Sequence, residues 1–141
     1  MSSKSVSILA VLCLLFVCLA ASAQTIQKTA VSPTSPSSGA DMFKTYCAAC
    51  HGTDGKGTGP AAPALKKTPA NLTELTARNG GKFPELKVYG TIKGDVDMPA
   101  HGSRDMPVWG SLFSSVSHGN QSEVQMRIAN LTAYVQSIQA K

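Results

Sequence analysis

The sequence predicts an all-α domain of about four short helices joined by long loops. Residues 120–141 carry an apolar stripe at helical spacing, no segment alternates as a strand would, and glycine and proline gather into long irregular stretches between the apolar segments. Each segment supports this reading in turn.

The first segment stands apart from the domain. Met1-Ser-Ser-Lys4 precedes an almost unbroken apolar run from Val6 to Ala20, and Ala21-Ser22-Ala23 follows. One positive charge, a short apolar run and an A-x-A site predict a secretory signal peptide over 1–23, cleaved after Ala23. The alternative is an uncleaved membrane anchor, but a spanning helix needs about 20 apolar residues and small residues end this run early. Cys13 and Cys18 lie inside the run with no lipoprotein cleavage box before them, so they leave with it. Four cysteines become two, Cys47 and Cys50. Two cysteines build no disulfide framework, and in an oxidising compartment a bare pair closes on itself unless something else uses both sulfurs.

Residues 24–38, rich in Ser, Thr and Pro without apolar periodicity, read as a disordered linker. The folded domain is then 39–141, a size at which a core of its own is marginal. The chain carries 13 Lys and Arg against 8 Asp and Glu, a net charge of +5 that becomes +4 without Lys4. The charge is dispersed and not interleaved with aromatics, which argues against nucleic acid as a partner. A weakly basic surface suits transient docking on an acidic protein or passing attraction to an anionic membrane, and equally suits plain solubility.

Within the domain, G-A-D-M-F-K-T-Y-C-A-A-C winds as a helix from Gly39, capped by Ser37 or Ser38, with Asp41 in its first turn. It stops at His51-Gly52, and G-T-D-G-K-G-T-G-P-A-A-P must be loop. Asn71 to Asn79 reads as a short helix ending at Gly80-Gly81, with Asn71 or Thr73 near its cap. Pro84 to Lys93 reads as another, with Leu86 and either Val88 or Tyr89 turned inward and Gly94 after it. Asp95 to Gly110 reads as irregular. Asn120-Gln-Ser-Glu123 has the form of a capping box, and behind it Val124, Ile128, Leu131, Val135 and Ile138 make one stripe. Loops this long are uncommon in a compact domain unless they wrap a ligand, so an apolar group is expected at the centre.

The stretch C-A-A-C-H, Cys47 to His51, names that group: C-x-x-C-H is the attachment signature of c-type haem. Two thiols three residues apart on a helical turn can both reach the vinyl groups along one porphyrin edge, and the adjacent imidazole is carried under the iron. A thioredoxin-like pair needs a βαβ context, and no strands are predicted. A structural zinc site needs four ligands, and beyond the motif only His101 and His118 remain among the histidines. A disulfide beside an incidental histidine leaves the loops without a core.

With these residues in view, the domain resembles a class I, single-haem cytochrome c of the small bacterial kind, over nearly all of Gly39 to Lys141. Gly39 and Phe43 stand where that family packs its first helix on its last, and Leu131 and Tyr134 stand where the last helix supplies partners. The resemblance implies one covalent haem c per chain. It also implies a proline carbonyl that orients His51; Pro60 is preferred to Pro63. Methionine opposite histidine raises the potential and closes the iron. Met106, in M-P-V-W-G, resembles the distal-ligand loop and is preferred to Met98. His101 and His118 are rival imidazole ligands, otherwise exposed. Met42 and Met126 are expected in the core. Trp109 supplies an apolar wall or a hydrogen bond to a propionate, Arg104 a propionate partner or a solvated charge, and Leu72, in P-A-N-L-T, a contact on the ring.

The implied function is a one-electron carrier, exported to the periplasm and monomeric, not an enzyme. Its donor would be a dehydrogenase or quinol-oxidising complex and its acceptor a terminal oxidase or reductase. The alternatives are a haem subunit bound to such a complex or tethered on it through an uncleaved front segment, and a haem enzyme or gas sensor with an open iron site.

Overall fold

The computed structural model describes residues 33–95, 106 and 108–140, and all their regular structure is helical. The all-α expectation therefore holds over the described residues. Helix α1 runs through three contiguous stretches, Gly39–Met42, Phe43–Cys47 and Ala48–His51, the middle one π-helical. Ser38 caps its start by accepting from the amide of Asp41 at 3.2 Å, which satisfies a donor that the first turn cannot. In the π stretch the amide of Ala48 reaches back five residues to the Phe43 carbonyl. A single wide turn of this kind inserts one residue into the helix and commonly marks a functional site; here it lies immediately before the two cysteines and the histidine.

After the Gly-rich loop, 3-10 turns at Ala62–Ala64 and Leu72–Glu74 lead into the short helix α2, Leu75–Arg78. Asn71 caps this segment by accepting from the Thr73 amide at 3.0 Å. Helix α3, Glu85–Lys93, ends at Gly94 in the left-handed conformation, the usual helix stop. Helix α4 is Trp109–Val116 and helix α5 is Gln121–Ser137.

Helix α5 is the organising element, packed by α1, α3 and α4. Val124, Ile128, Leu131 and Val135 are buried and Ile138 is half-buried, as the stripe requires. The largest fully buried side chains are Met42, Phe43, Phe113, Ile128 and Leu131. Each such apolar side chain contributes about 1.5–3 kcal/mol by leaving water, so these five form the mechanical centre of the domain. Phe43 meets Tyr134 with ring centroids 5.1 Å apart. A Cβ on Gly39 would meet the backbone carbonyl of Asn130 and lie 2.8 Å from Tyr134 Cβ. The crossing of α1 on α5 thus depends on a missing side chain, as Gly39 suggested.

Four expectations are corrected. Leu86 is 88% exposed: Val88 and Ile92 lie on the buried side of α3, and at 100° per residue Leu86 sits about 120–160° round the helix from them. Met126 is 42% exposed, because the buried stripe of α5 runs through Val124 and Ile128 on either side of it. The reading of irregular chain up to Gly110 overruns the start of α4, which begins at Trp109. Residues 33–38, the end of the stretch read as a disordered linker, are instead hydrogen-bonded to the helices. The side chain of Asn130 donates to the Pro36 carbonyl at 2.9 Å, and Arg127 donates to the Thr34 carbonyl at 2.8 Å.

Arg127 is 2% exposed and was not singled out by its sequence context. It forms an ion pair with Glu123 at 2.8 Å, and the Ser117 hydroxyl donates to the same carboxylate at 2.9 Å. The capping box is therefore half formed: Asn120 accepts from the Glu123 amide at 3.3 Å, while the Glu123 side chain serves Arg127. Hydrogen bonds from Arg127 and then Ser117 hold the Glu123 carboxyl below its ordinary value of 4.5. A depressed carboxyl pKa gives stability that is present above the unfolded-state value and is lost as pH falls through the folded-state value. The thermal midpoint of the wild type should accordingly fall on acidification below about pH 4.5, and the slope of that fall should be shallower in Glu123→Gln. Equal slopes in calorimetric scans across this range would show that Glu123 does not contribute.

Candidate functional site

The motif occupies the last turns of α1. Cys47 is buried and Cys50 half-buried, and no disulfide joins them. Burial, and then the neighbouring Cys50, pushes the Cys47 thiol up to about 12. Such a thiol yields little of the thiolate that a metal-thiolate or nucleophilic site requires. Among the described residues no group of three His, Cys, Asp or Glu side chains is placed to hold a metal ion.

The carbonyls at the end of a helix lack intrahelical partners, and the loop that follows supplies them. The amides of Gly57, Gly59 and Ala61 donate to the carbonyls of His51, Cys50 and Ala49 at 2.7, 3.1 and 2.9 Å. The G-T-D-G-K-G-T-G-P stretch is thus folded back on the motif and fixes its exit. Gly57 takes φ of +84°, and a Cβ there would meet the Pro69 carbonyl, so glycine is needed for both the turn and the close approach.

His51 is half-buried, and its Nδ1 lies 3.0 Å from the carbonyl oxygen of Ala70. This corrects the expectation for Pro60, which is exposed. The loop around Pro60 is spent on capping the helix, and the chain returns to the imidazole only ten residues later, at Ala70 in P-A-N-L-T. Two hydrogen bonds on Leu72 hold the chain just after Ala70. The Leu72 amide donates to the Gly55 carbonyl at 2.7 Å, and the Gln139 side chain donates to the Leu72 carbonyl at 2.7 Å. Gln139 also accepts from the Thr76 amide at 2.9 Å. Ala70 and Gln139 were not legible as site residues, because a backbone carbonyl and a terminal amide carry no motif. The one available signal was P-A-N-L-T itself.

Leu72 is half-buried and packs against the core. Trp109 is half-buried, with its ring centroid 5.6 Å from Tyr46 and 6.1 Å from Phe113. These rings, with Tyr46 next to Cys47 in sequence, form an aromatic wall on the motif turn that the sequence reading did not assemble. Met106 is half-buried in a bend three residues before Trp109. His118 is exposed, at φ +51° in the turn before α5, as its exposed-loop reading had it. The expectations for Met98, His101 and Arg104 lie outside the described residues.

These residues fit a covalently held porphyrin. Two unbridged thiols stand one turn apart on a helix, and the adjacent imidazole has Nδ1 directed to a backbone carbonyl. A hydrogen bond from Nδ1 to that carbonyl sets the tautomer of the ring. All-α architecture with long loops folded back on such a motif is the setting that a covalently attached haem requires.

The cytochrome c family model matches residues 37–139, and the chain belongs to that family. No curated protein and no solved structure matches the chain. The cofactor is covalent haem c, and Cys47, Cys50 and His51 stand at the spacing that its attachment requires. Family membership points to haem-based electron transfer with redox proteins as partners. No helix among the described residues is long and apolar enough to cross a membrane.

Proposed function

We propose that the chain is a one-electron carrier whose iron is held between His51 and Met106. The observation that carries this reading is the hydrogen bond from His51 Nδ1 to Ala70. It locks an imidazole beside two unbridged thiols in the tautomer that an axial ligand uses. Bound haem c supplies an iron that cycles between ferric and ferrous. Cys47 and Cys50 would hold the haem through thioethers, each thiol adding its sulfur and proton across one vinyl double bond. The Ala70 carbonyl would raise the basicity of the His51 ring, and Leu72 and Trp109, packed against the core, would help to exclude water from the bound group. Met106 sits in a pre-proline bend at the root of α4, a stiff presentation for a soft thioether, and its ligation favours the ferrous state.

An iron closed on both sides leaves no position for substrate, which supports electron transfer rather than catalysis. A front segment over 1–23 with the form of a signal peptide supports export to the periplasm. There the carrier would pass electrons from a dehydrogenase or quinol-oxidising complex to a terminal oxidase or reductase. The ligand assignment is tested by absorption spectra of the oxidised protein. The weak iron–methionine charge-transfer band at the red end should be present in the wild type and in Met98→Ala, and absent in Met106→Ala. Loss in Met98→Ala with survival in Met106→Ala would transfer the role to Met98.

A further inference from the structure

Residues 33–38 are fastened to α5 by Asn130 at Pro36 and by Arg127 at Thr34. Nη1 of Arg127 donates to the Thr34 carbonyl at 2.8 Å and stands 3.4 Å from Thr34 Oγ1. Nε lies 3.0 Å from Ser117 Oγ, and both Nε and Nη2 reach Glu123 Oε1, at 3.1 and 2.8 Å. Every guanidinium nitrogen therefore has an acceptor. A buried cation tolerates the loss of such a partner badly, so Arg127 holds Thr34 firmly.

Thr34 in turn holds Tyr46. Its hydroxyl donates to the Tyr46 oxygen at 3.1 Å, and its amide lies 3.4 Å from the same atom. With that end anchored, the Tyr46 ring rests 5.6 Å from the Trp109 ring and 5.6 Å from that of Phe113. Tyr46 directly precedes Cys47, and Trp109 opens α4 three residues after Met106.

We propose that residues 33–38 are a latch, and that Arg127, acting through Thr34, is a positioning residue for Tyr46 and Trp109. Through Trp109 the latch restrains the segment that carries Met106. This last step rests on Met106 as the distal ligand; the seating of the two rings does not.

The test uses the full-length haem-loaded protein with Thr34→Val, Tyr46→Phe and the double variant. Trp109 is the single tryptophan of the sequence, so its emission, quenched by nearby haem, reports its seat alone. Capture of added imidazole by the ferric protein reports opening of the distal side. Each single variant should brighten Trp109 and raise the rate of imidazole capture about fivefold, the effect of losing one neutral hydrogen bond. The double variant should do no more than Tyr46→Phe alone, because Thr34→Val acts on the ring only through the Tyr46 hydroxyl. Unchanged emission in both single variants, or additive effects in the double, would overturn the latch whichever methionine binds the iron. Emission that responds while imidazole capture stays flat would support the seating and overturn the restraint on the segment that carries Met106. Arg127→Lys keeps the charge but loses the fork and should brighten Trp109 as well. Should it fail to fold, the two milder variants, which leave the buried cation paired, decide the matter.

Discussion

Replacing Cys47 and Cys50 together with alanine should abolish covalent haem: the intact mass of the purified chain falls by one haem, and denaturing gels lose their haem stain. The two thiols are unbridged and stand one helical turn apart, and no other described cysteine exists to take over the attachment. The protein should also lose its fold. Long loops close on the end of α1 through the amides of Gly57, Gly59 and Ala61, and a domain of about this size has little apolar surface to spare. Each single variant should retain one thioether and a reduced yield. Covalent haem surviving in the double variant would contradict the attachment.

Gly39→Ala should destabilise the protein, although a helix ordinarily gains from this change. Alanine is favoured over glycine in a helix interior by about 1 kcal/mol. Against that, the new Cβ would press on the Asn130 carbonyl and on Tyr134 Cβ, and neither is the end of a flexible side chain. Overpacking of this kind costs about 1–3 kcal/mol. Position 39 is the first residue of α1, where the propensity gain is smallest, so the steric effect wins. The melting midpoint of the haem-loaded protein should fall by roughly 10 °C, given about 4–8 °C per kcal/mol at this size. A midpoint that rises would mean α1 crosses α5 with room to spare.

What could be read in the sequence depended on where the stabilising contacts lie. Helix α5 was legible because its core-facing residues repeat at helical spacing and its Asn120 cap is local. The attachment motif was legible because its chemistry requires fixed residue types at fixed spacing. Helix α4 carried a weaker version of the same signal. Trp109, Leu112, Phe113 and Val116 do fall at helical spacing, but glycine and three serines between them are poor helix formers, and packing against α5 decides the outcome. Leu86 misled because a nine-residue helix has room for an apolar residue off its buried face. The Ala70 carbonyl, Gln139 and Arg127 with Thr34 were invisible, since each acts on a residue 19 to 93 positions away. Proximity of that kind is created by the fold alone.

The claim that His51 and Met106 close the iron between them meets its most direct test in one measurement, the absorption spectrum of the reduced protein before and after mixing with carbon monoxide at neutral pH. Ligation on both sides predicts no change in the wild type, and a shifted main band in Met106→Ala, where one side has been opened. A shifted band in the wild type itself would contradict the closed site and place the protein among haem proteins that bind gases or activate substrates.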